Sequence, residues 1–165
     1  MNDDKKMQVL HLLHENSRLS VETMATMLGV TSEEVKQAMT ELEQSGIIKR
    51  YSAVIDWDKV ESTKKVSAII HVNVTPQREV GFDAIAERIY RFPEVRSVSL
   101  MSGTYDLEIL LDGEDIREIA RFVAEKLSTI EHVISTATHF LLKTYKADGV
   151  IFDDHERDRR LVVAP

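Results

Sequence analysis

The chain lacks several features that define common classes of protein. None of its 165 residues is cysteine, which excludes disulfide frameworks and cysteine-ligated zinc sites. No apolar run approaches the roughly 20 residues that a transmembrane helix needs, and the start, MNDDKK, has no signal-peptide pattern. The content of 43% hydrophobic and 30% charged residues is typical of a globular protein. We therefore expect a cytoplasmic protein without a membrane partner.

Sequence signatures of common enzymes and metal sites are also missing. There is no Walker lysine loop, Rossmann glycine string or nucleophile-elbow serine. His11 and His14 lie three residues apart and could share a metal, but no third ligand is indicated. The segment FDDHERD at 152–158 resembles a metal site in composition, with a solvated charged arm as the ordinary alternative. We expect a protein that is not an enzyme and that has no metal or cofactor.

The charge balance is acidic, with a formal net charge of −7. Residues 1–60 contain seven Lys and Arg against ten Asp and Glu, a net charge of −3. Phosphate neutralisation by cations drives non-specific binding to DNA, so this balance argues against a protein that coats nucleic acid. Binding to DNA would depend on a few local cations and on two or more copies acting together.

Residues 20–51 predict a helix-turn-helix with a wing. Apolar residues recur along the first of its helices at the i, i+3, i+4, i+7 spacing of one helical face, from Val21 to Leu28. Gly29 ends that helix where a left-handed residue is needed, and Thr31 with Glu34 has the spacing of a capping box for the next. A preceding helix, 3–16, would bury Met7, Leu10 and Leu13. The β-branched and aromatic segment IIKRYSAVIDW would form the wing strand.

The second helix of such a motif meets the base edges of double-stranded DNA through its N-terminal part. Gln37 can read adenine through two hydrogen bonds, and Lys36 can reach guanine or a phosphate. Lys49 and Arg50, at the start of the wing, would contact phosphates. The candidate DNA-binding residues are Ser32, Glu33, Lys36, Gln37, Thr40, Lys49 and Arg50.

The rest of the chain follows the order β-α-β-β-α-β, which predicts a ferredoxin-like antiparallel sheet with two helices on one face. The fold class is thus α+β, with domains at 1–60 and 61–149 and a C-terminal arm at 150–165. The helix-facing side of the first strand would be Val66, Ala68, Ile70, Val72 and Val74. The second helix would bury Ile116, Ile119, Ala120, Val123, Leu127 and Ile130.

The other face of this sheet would have no helices over it. It is expected to carry Ile69, Met101 and Leu110, together with the set of the last strand that includes Ile134 and Phe140. Such a face is too apolar for full solvation, so a pairing surface for a second copy is expected. A mixed face exposed to solvent is the alternative.

Two phrases resemble the Lrp/AsnC, or feast/famine, family of transcription regulators. The first is LEQSGIIKRYSAVID, with Leu42-Glu43, Gly46 to Ile48 and Tyr51 to Ala53 in the family's positions. The second is PEVRSVSLMSGTYDLEILL, with Pro93 to Val95 and the Gly-x-x-Asp hairpin Gly103 to Asp106. Their order and spacing extend the resemblance from about Lys5 to Lys146.

This resemblance implies a DNA-binding transcription regulator that forms homodimers and octamers or higher assemblies. It also implies a small-molecule effector, an amino acid or related metabolite, bound around the glycine-aspartate hairpin near the contact between dimers. The effector-binding candidates carried over here are Met101, Ser102, Gly103, Thr104, Tyr105 and Asp106. Gly103 could adopt positive φ in the turn, and Asp106 could meet an ammonium group. A plain hairpin turn, with Asp106 bonded to its own backbone, is the alternative.

Two further functions remain open from the sequence. The acidic N-terminal domain is compatible with a metabolite-binding oligomer whose DNA binding is weak or lost. Siroheme decarboxylase subunits resemble the same family, but they typically have Asn and Trp where this chain has Asp106 and Glu108. That difference argues against the enzyme.

Overall fold

A computed structural model of the chain describes residues 2–60, 65–75 and 81–152. The chain divides into two compact units, Met1–Ile55 and Asp56–Pro165, so the division falls ahead of the predicted boundary near Val60. The acidic segment after Phe152 and most of the predicted C-terminal arm lie outside the described residues. No helix in the described ranges is long and apolar enough to span a bilayer.

Three helices form the first unit: α1 (Asp3–Glu15), α2 (Val21–Leu28) and α3 (Ser32–Gln44). They pack around Val9, Leu13, Met24, Val35 and Leu42, and the predicted helix-turn-helix is confirmed. The expected burial of Met7 is wrong, because its side chain is 54% exposed while Val9 is fully buried. The run VLHLL gives α1 two alternative apolar faces, and packing on α2 and α3 selects the face that contains Val9 and Leu13.

The expected wing strand does not form. Residues 47–56 have no strand pairing, and Ile47, Val54 and Ile55 are exposed. Ile48 alone of this apolar series packs against the core of the first unit. A strand needs a neighbour for its N–H and C=O groups, and the described residues supply none to this segment. A short 3₁₀ turn, Trp57–Lys59, follows it.

The second unit contains the predicted ferredoxin-like sheet. The elements are β1 (Val66–Val74), α4 (Asp83–Tyr90), β2 (Val95–Leu100), β3 (Leu107–Gly113), α5 (Ile116–Arg121), β4 (Val133–Phe140), β5 (Lys146–Ala147) and β6 (Val150–Ile151). The strands of the sheet are antiparallel and lie in the order β2-β3-β1-β4. A small separate hairpin, β5 with β6, follows.

One sheet face and the two helices enclose the core of this unit. Alternate residues of the two central strands are buried against Ile85 and Ile89 of α4 and Ile119 of α5. The alternation confirms the predicted inward set of β1, because side chains two apart in a strand share a face. The buried strand residues are Ala68, Ile70, Val72, Val74, Leu107, Ile109 and Leu111.

Helix α5 departs from the predicted pattern, and it continues as a π-helical segment, Phe122–Leu127. The N–H of Ser128 donates to the carbonyl of Val123, five residues earlier, at 2.8 Å. The face of α5 that packs on the sheet also differs from the predicted one before this segment begins. Phe122 is buried although it was not predicted to be, whereas Ile116, 56% exposed, and Ala120, also exposed, do not face inward as expected.

The uncovered sheet face is more polar than predicted. Cross-strand pairs place Ile69 opposite Leu110 and His139, and place His71 opposite Glu108 and Ala137. The prediction for β4 is wrong at Phe140, which pairs with Ala68 on the helix-facing side, whereas Ile134 is 67% exposed. The open face is therefore lined on β4 by Ser135, Ala137 and His139.

Candidate DNA interface and effector hairpin

The start of α3 is fixed by the residues that the sequence singled out. Gly29 ends α2 in the left-handed conformation at φ 61°. The backbone N–H of Glu34 donates to Thr31 Oγ1 at 3.2 Å, and that of Thr31 donates to Glu34 Oε2 at 2.9 Å, which completes the predicted capping box. The bond from the Thr31 backbone is the main cause that lowers the pKa of Glu34. These hydrogen bonds therefore hold the N-terminal backbone of α3 in one conformation.

Five of the predicted DNA-binding residues lie on α3. Glu33, Lys36, Gln37 and Thr40 are exposed, and Ser32 is partly buried. The hydroxyl of Thr40 donates to the Lys36 carbonyl at 3.0 Å, so its proton is used within the helix. Gln37 and the Lys36 ammonium remain the groups best suited to reach a base edge.

Two residues that sequence reasoning missed support Gln37. Gln37 Nε2 donates to Glu41 Oε1 at 3.1 Å. Lys6 Nζ of α1 lies 2.7 Å from Glu41 Oε2, and this bond is the largest cause that lowers the pKa of Glu41. The i, i+4 spacing of Gln37 and Glu41 was a usable signal for the first contact. The contact with Lys6 depends on helix packing and had no sequence signal.

Lys49 and Arg50 are exposed in the irregular segment that follows α3. The next residue anchors that segment, because the Tyr51 hydroxyl donates to Glu43 Oε1 of α3 at 2.7 Å. Partial burial of Tyr51 is the main cause that raises the pKa of its hydroxyl to about 12, and this hydrogen bond is the second cause. Both cations are thus tethered near α3 although no wing strand carries them.

The predicted effector residues form the connection between β2 and β3. The N–H of Met101 donates to the Asp106 carbonyl at 2.8 Å, which closes the hairpin. Residues 101–104 are exposed and Tyr105 and Asp106 are partly buried. The expected positive φ at Gly103 is wrong, since this glycine is not among the left-handed residues of the described chain. A Cβ at Gly103 would meet no atom within 4 Å, so the fold itself leaves room there.

Asp106 is bound to the neighbouring strand. Its N–H donates to the Val72 carbonyl at 3.0 Å, and its Oδ2 accepts the N–H of Val74 at 2.8 Å. The second contact lies where the pairing of β1 with β4 shifts register. One carboxylate oxygen of Asp106 is therefore used to hold the hairpin on β1.

Tyr105 connects the hairpin to the open sheet face. Its ring stacks on His71 with centroids 3.6 Å apart and an interplanar angle of 7°, and its hydroxyl donates to Glu108 Oε2 at 3.1 Å. Partial burial is the main cause that raises the pKa of Tyr105. The His139 ring lies 4.7 Å from that of His71. Within the described ranges, no group of three His, Cys, Asp or Glu side chains could hold a metal ion.

Comparison with known proteins decides the family. Residues 67–151 match the model of the Lrp/AsnC ligand binding domain. The chain belongs to the Lrp/AsnC family. Residues 7–62 match the model of the Crp-like helix-turn-helix domain. The HTH-type transcriptional regulator YugG of Bacillus subtilis is 51% identical to the chain over 162 residues, which cover 98% of each protein.

Solved structures of low sequence identity have the same fold. The complex of the transcriptional regulator NMB0573 of Neisseria meningitidis with L-Met matches with a TM-score of 0.70 at 22% identity, over 89% of this chain and 94% of that one. AsnC of E. coli matches with a TM-score of 0.68 at 19% identity, over 89% and 96% of the two chains.

Membership of the Lrp/AsnC family gives the general function of the protein. A helix-turn-helix joined to an Lrp/AsnC ligand binding domain is the arrangement of a DNA-binding transcription regulator that senses a small metabolite. The Bacillus subtilis relative is a transcriptional regulator, which favours a regulator over the siroheme decarboxylase alternative.

Proposed function

We propose that this Lrp/AsnC regulator reads a DNA major groove with α3 and binds an amino acid at the hairpin 101–106. The observation that carries the first part is the exposed N-terminal half of α3, capped by Thr31 and Glu34 and free of apolar side chains on its outer face. Ser32, Glu33, Lys36, Gln37 and Thr40 face the groove in this proposal. Lys49 and Arg50 bind the flanking phosphates.

The hairpin supports the second part because its backbone is accessible. The open space at Gly103 would let a ligand approach the main chain closely. Ser102 and Thr104 offer exposed hydroxyls beside it, and Met101 offers an apolar surface. The solved complex of the Neisseria regulator with L-Met makes an amino acid the first class of effector to test.

Assembly is the third part of the proposal. The exposed face of the sheet carries Ile69 and Leu110 between polar pairs such as Ser67 with Asp112, 2.7 Å apart. Pairing of two copies through this face would cover these residues and join two helix-turn-helix units. Two units would offset the weak attraction of an acidic first domain for phosphate. Octamers or higher assemblies would multiply that effect.

DNA reading is tested by selection from a randomised duplex library with the full chain, followed by fluorescence anisotropy on the selected sequence. We expect a defined consensus and a salt-sensitive affinity. Replacement of both Lys36 and Gln37 by alanine should abolish the preference for that consensus. If the wild-type chain enriches no sequence at low salt, the metabolite-binding oligomer without DNA recognition becomes the better description.

Effector binding is tested by a thermal-shift screen of the twenty amino acids. A ligand that binds the folded state raises the unfolding midpoint, and at a hundredfold excess over its dissociation constant it adds about 2.7 kcal/mol. Gly103→Ala is the matched variant, because its Cβ enters open space and should leave the ligand-free midpoint unchanged. Loss of the shift in this variant supports the hairpin site, whereas an unchanged shift places the ligand elsewhere.

A further inference from the structure

Lys6, Glu41 and Gln37 form a connected row of side chains on the surface of the first unit, from α1 to α3. Lys6 of α1 contacts Glu41 of α3 through Oε2, and Glu41 accepts the amide of Gln37 through Oε1. Lys6 is partly buried, and Glu41 and Gln37 are exposed on the same side of α3. Each carboxylate oxygen of Glu41 therefore has a different partner.

The chemistry of Glu41 fixes the orientation of the Gln37 amide. An ionised carboxylate only accepts hydrogen bonds, so the group that faces it must be the NH₂ of Gln37 and not its carbonyl. The Lys6 ammonium keeps Glu41 ionised, since it lowers the pKa of that carboxyl. With one N–H bound to Glu41, Gln37 retains its carbonyl oxygen and its second N–H.

Those two remaining groups are what the readout of adenine requires. A glutamine accepts from adenine N6 and donates to N7 in the major groove. A free glutamine side chain must give up its rotamer freedom to adopt that arrangement, whereas a glutamine held by Glu41 has already lost part of it.

We propose that Glu41 is a positioning residue that fixes the Gln37 amide for adenine readout, and that Lys6 holds Glu41 in place and offsets its charge. This inference rests on the proposed reading of DNA by α3. According to this inference, the negative charge of Glu41 on the DNA side of α3 increases sequence preference and lowers overall affinity for DNA.

Two variants of Glu41 separate its charge from its hydrogen bond. Glu41→Ala and Glu41→Gln both remove one negative charge, and both should raise affinity for unrelated duplex DNA about two- to fivefold. Only Glu41→Gln retains a carbonyl oxygen that can accept the Gln37 amide. Circular dichroism and thermal melts of both variants verify that the helix-turn-helix remains folded.

The experiment begins with the consensus selected by the wild-type full chain and identifies the base pair at which Gln37→Ala loses its preference. Anisotropy is then measured on four duplexes that differ only at this position. We expect Glu41→Ala to reduce the preference for A·T there about five- to tenfold. Glu41→Gln should show a smaller reduction, because its amide can accept the Gln37 N–H but can also donate to the Gln37 carbonyl and has no charge to pair with Lys6. In Gln37→Ala, the added Glu41→Ala change should have no further effect on preference.

The outcomes distinguish this inference from the function on which it rests. If the wild-type chain selects no consensus, both fail. If Gln37→Ala relaxes one position but Glu41→Ala preserves the preference there, DNA reading by α3 stands and the positioning role of Glu41 is overturned. An equal loss of preference in Glu41→Ala and Glu41→Gln would also overturn it, because charge alone would then explain the effect.

Discussion

The imidazole of His71 lies flat against the phenol ring of Tyr105, with the ring centroids 3.6 Å apart. His71 belongs to the central strand β1, and Tyr105 belongs to the hairpin that connects β2 with β3. Glu108 joins the pair, since it accepts the Tyr105 hydroxyl and lies 3.6 Å from His71 Nε2. The hairpin proposed to bind the effector is therefore attached to the open sheet face by side chains as well as by the strands.

Removal of the Tyr105 ring should weaken the second unit. We expect Tyr105→Ala to lower the free energy of unfolding by about 1–3 kcal/mol, because it removes a stacked ring and leaves Glu108 without its hydroxyl donor. Tyr105→Phe keeps the stack and should cost only about 0.5–1.5 kcal/mol. Urea denaturation followed by circular dichroism measures both. Tyr90→Phe, on an exposed tyrosine of α4, is the control and should change stability by less than about 0.5 kcal/mol.

Truncation of a side chain at the centre of the sheet core should lower the free energy of unfolding strongly. Ile70 is fully buried between β3 and β4, so Ile70→Ala should cost about 2–5 kcal/mol through lost burial and the cavity left behind. Ile134→Ala makes the same chemical change in the same sheet, at a side chain that is 67% exposed. Its cost in urea denaturation should stay below about 0.5 kcal/mol. Similar costs for the two variants would contradict the described register.

The capping box should contribute measurably to the first unit. Thr31→Ala removes the acceptor for the Glu34 N–H and should destabilise α3 by about 1 kcal/mol. Thr31→Ser retains the hydroxyl oxygen and should restore most of that loss. Thermal denaturation at neutral pH compares the two variants, and an alanine variant as stable as wild type would show that the cap is dispensable.

Stability of the second unit should fall in acid through Glu94. Its hydrogen bond with Lys126 is the main cause that lowers the pKa of Glu94 in the folded protein. A carboxyl with a lowered folded pKa stabilises the fold above its unfolded value of 4.5, and this contribution is lost as the pH falls through the folded value. Glu94→Gln should therefore melt at a lower temperature than wild type near neutral pH. Its midpoint should also fall less between about pH 6 and pH 3. Parallel curves for the two proteins would exclude this pair as a source of acid sensitivity.

Elements with one strong local period were predictable from the sequence. Alternate apolar residues of β1, such as Ile70 and Val72, face the helices as expected, because a strand between two neighbours has only two faces. Gly29 and Thr31 were equally informative, since the termination of a helix and the start of the next depend on conformations that few residues adopt. The order of these elements was enough to give the ferredoxin-like topology.

Features that depend on distant partners were not predictable. Ile116 and Ala120 are exposed although they were predicted to face inward, because packing on the sheet selects the face of α5 that contains Ile119 and Phe122. Asp106 bonds to the N–H of Val74, 32 residues away, whereas the sequence suggested only an ammonium group or its own turn as partners. The segment 47–56 has the composition of a strand, yet pairing also needs a neighbouring edge. The same limit concealed Lys6, whose contact with Glu41 exists only because α1 packs beside α3.

The sparse positive charge of α3 bears on how a regulator finds its site within a genome. Lys36 is the one cation between Ser32 and Gln44, and it shares the helix with four glutamates. A genome offers about 10⁶–10⁹ competing sequences that a strongly basic helix would occupy indiscriminately. With so little attraction for phosphate, the helix proposed to read DNA would leave more of each cell's supply of the regulator unbound and able to search for its operators.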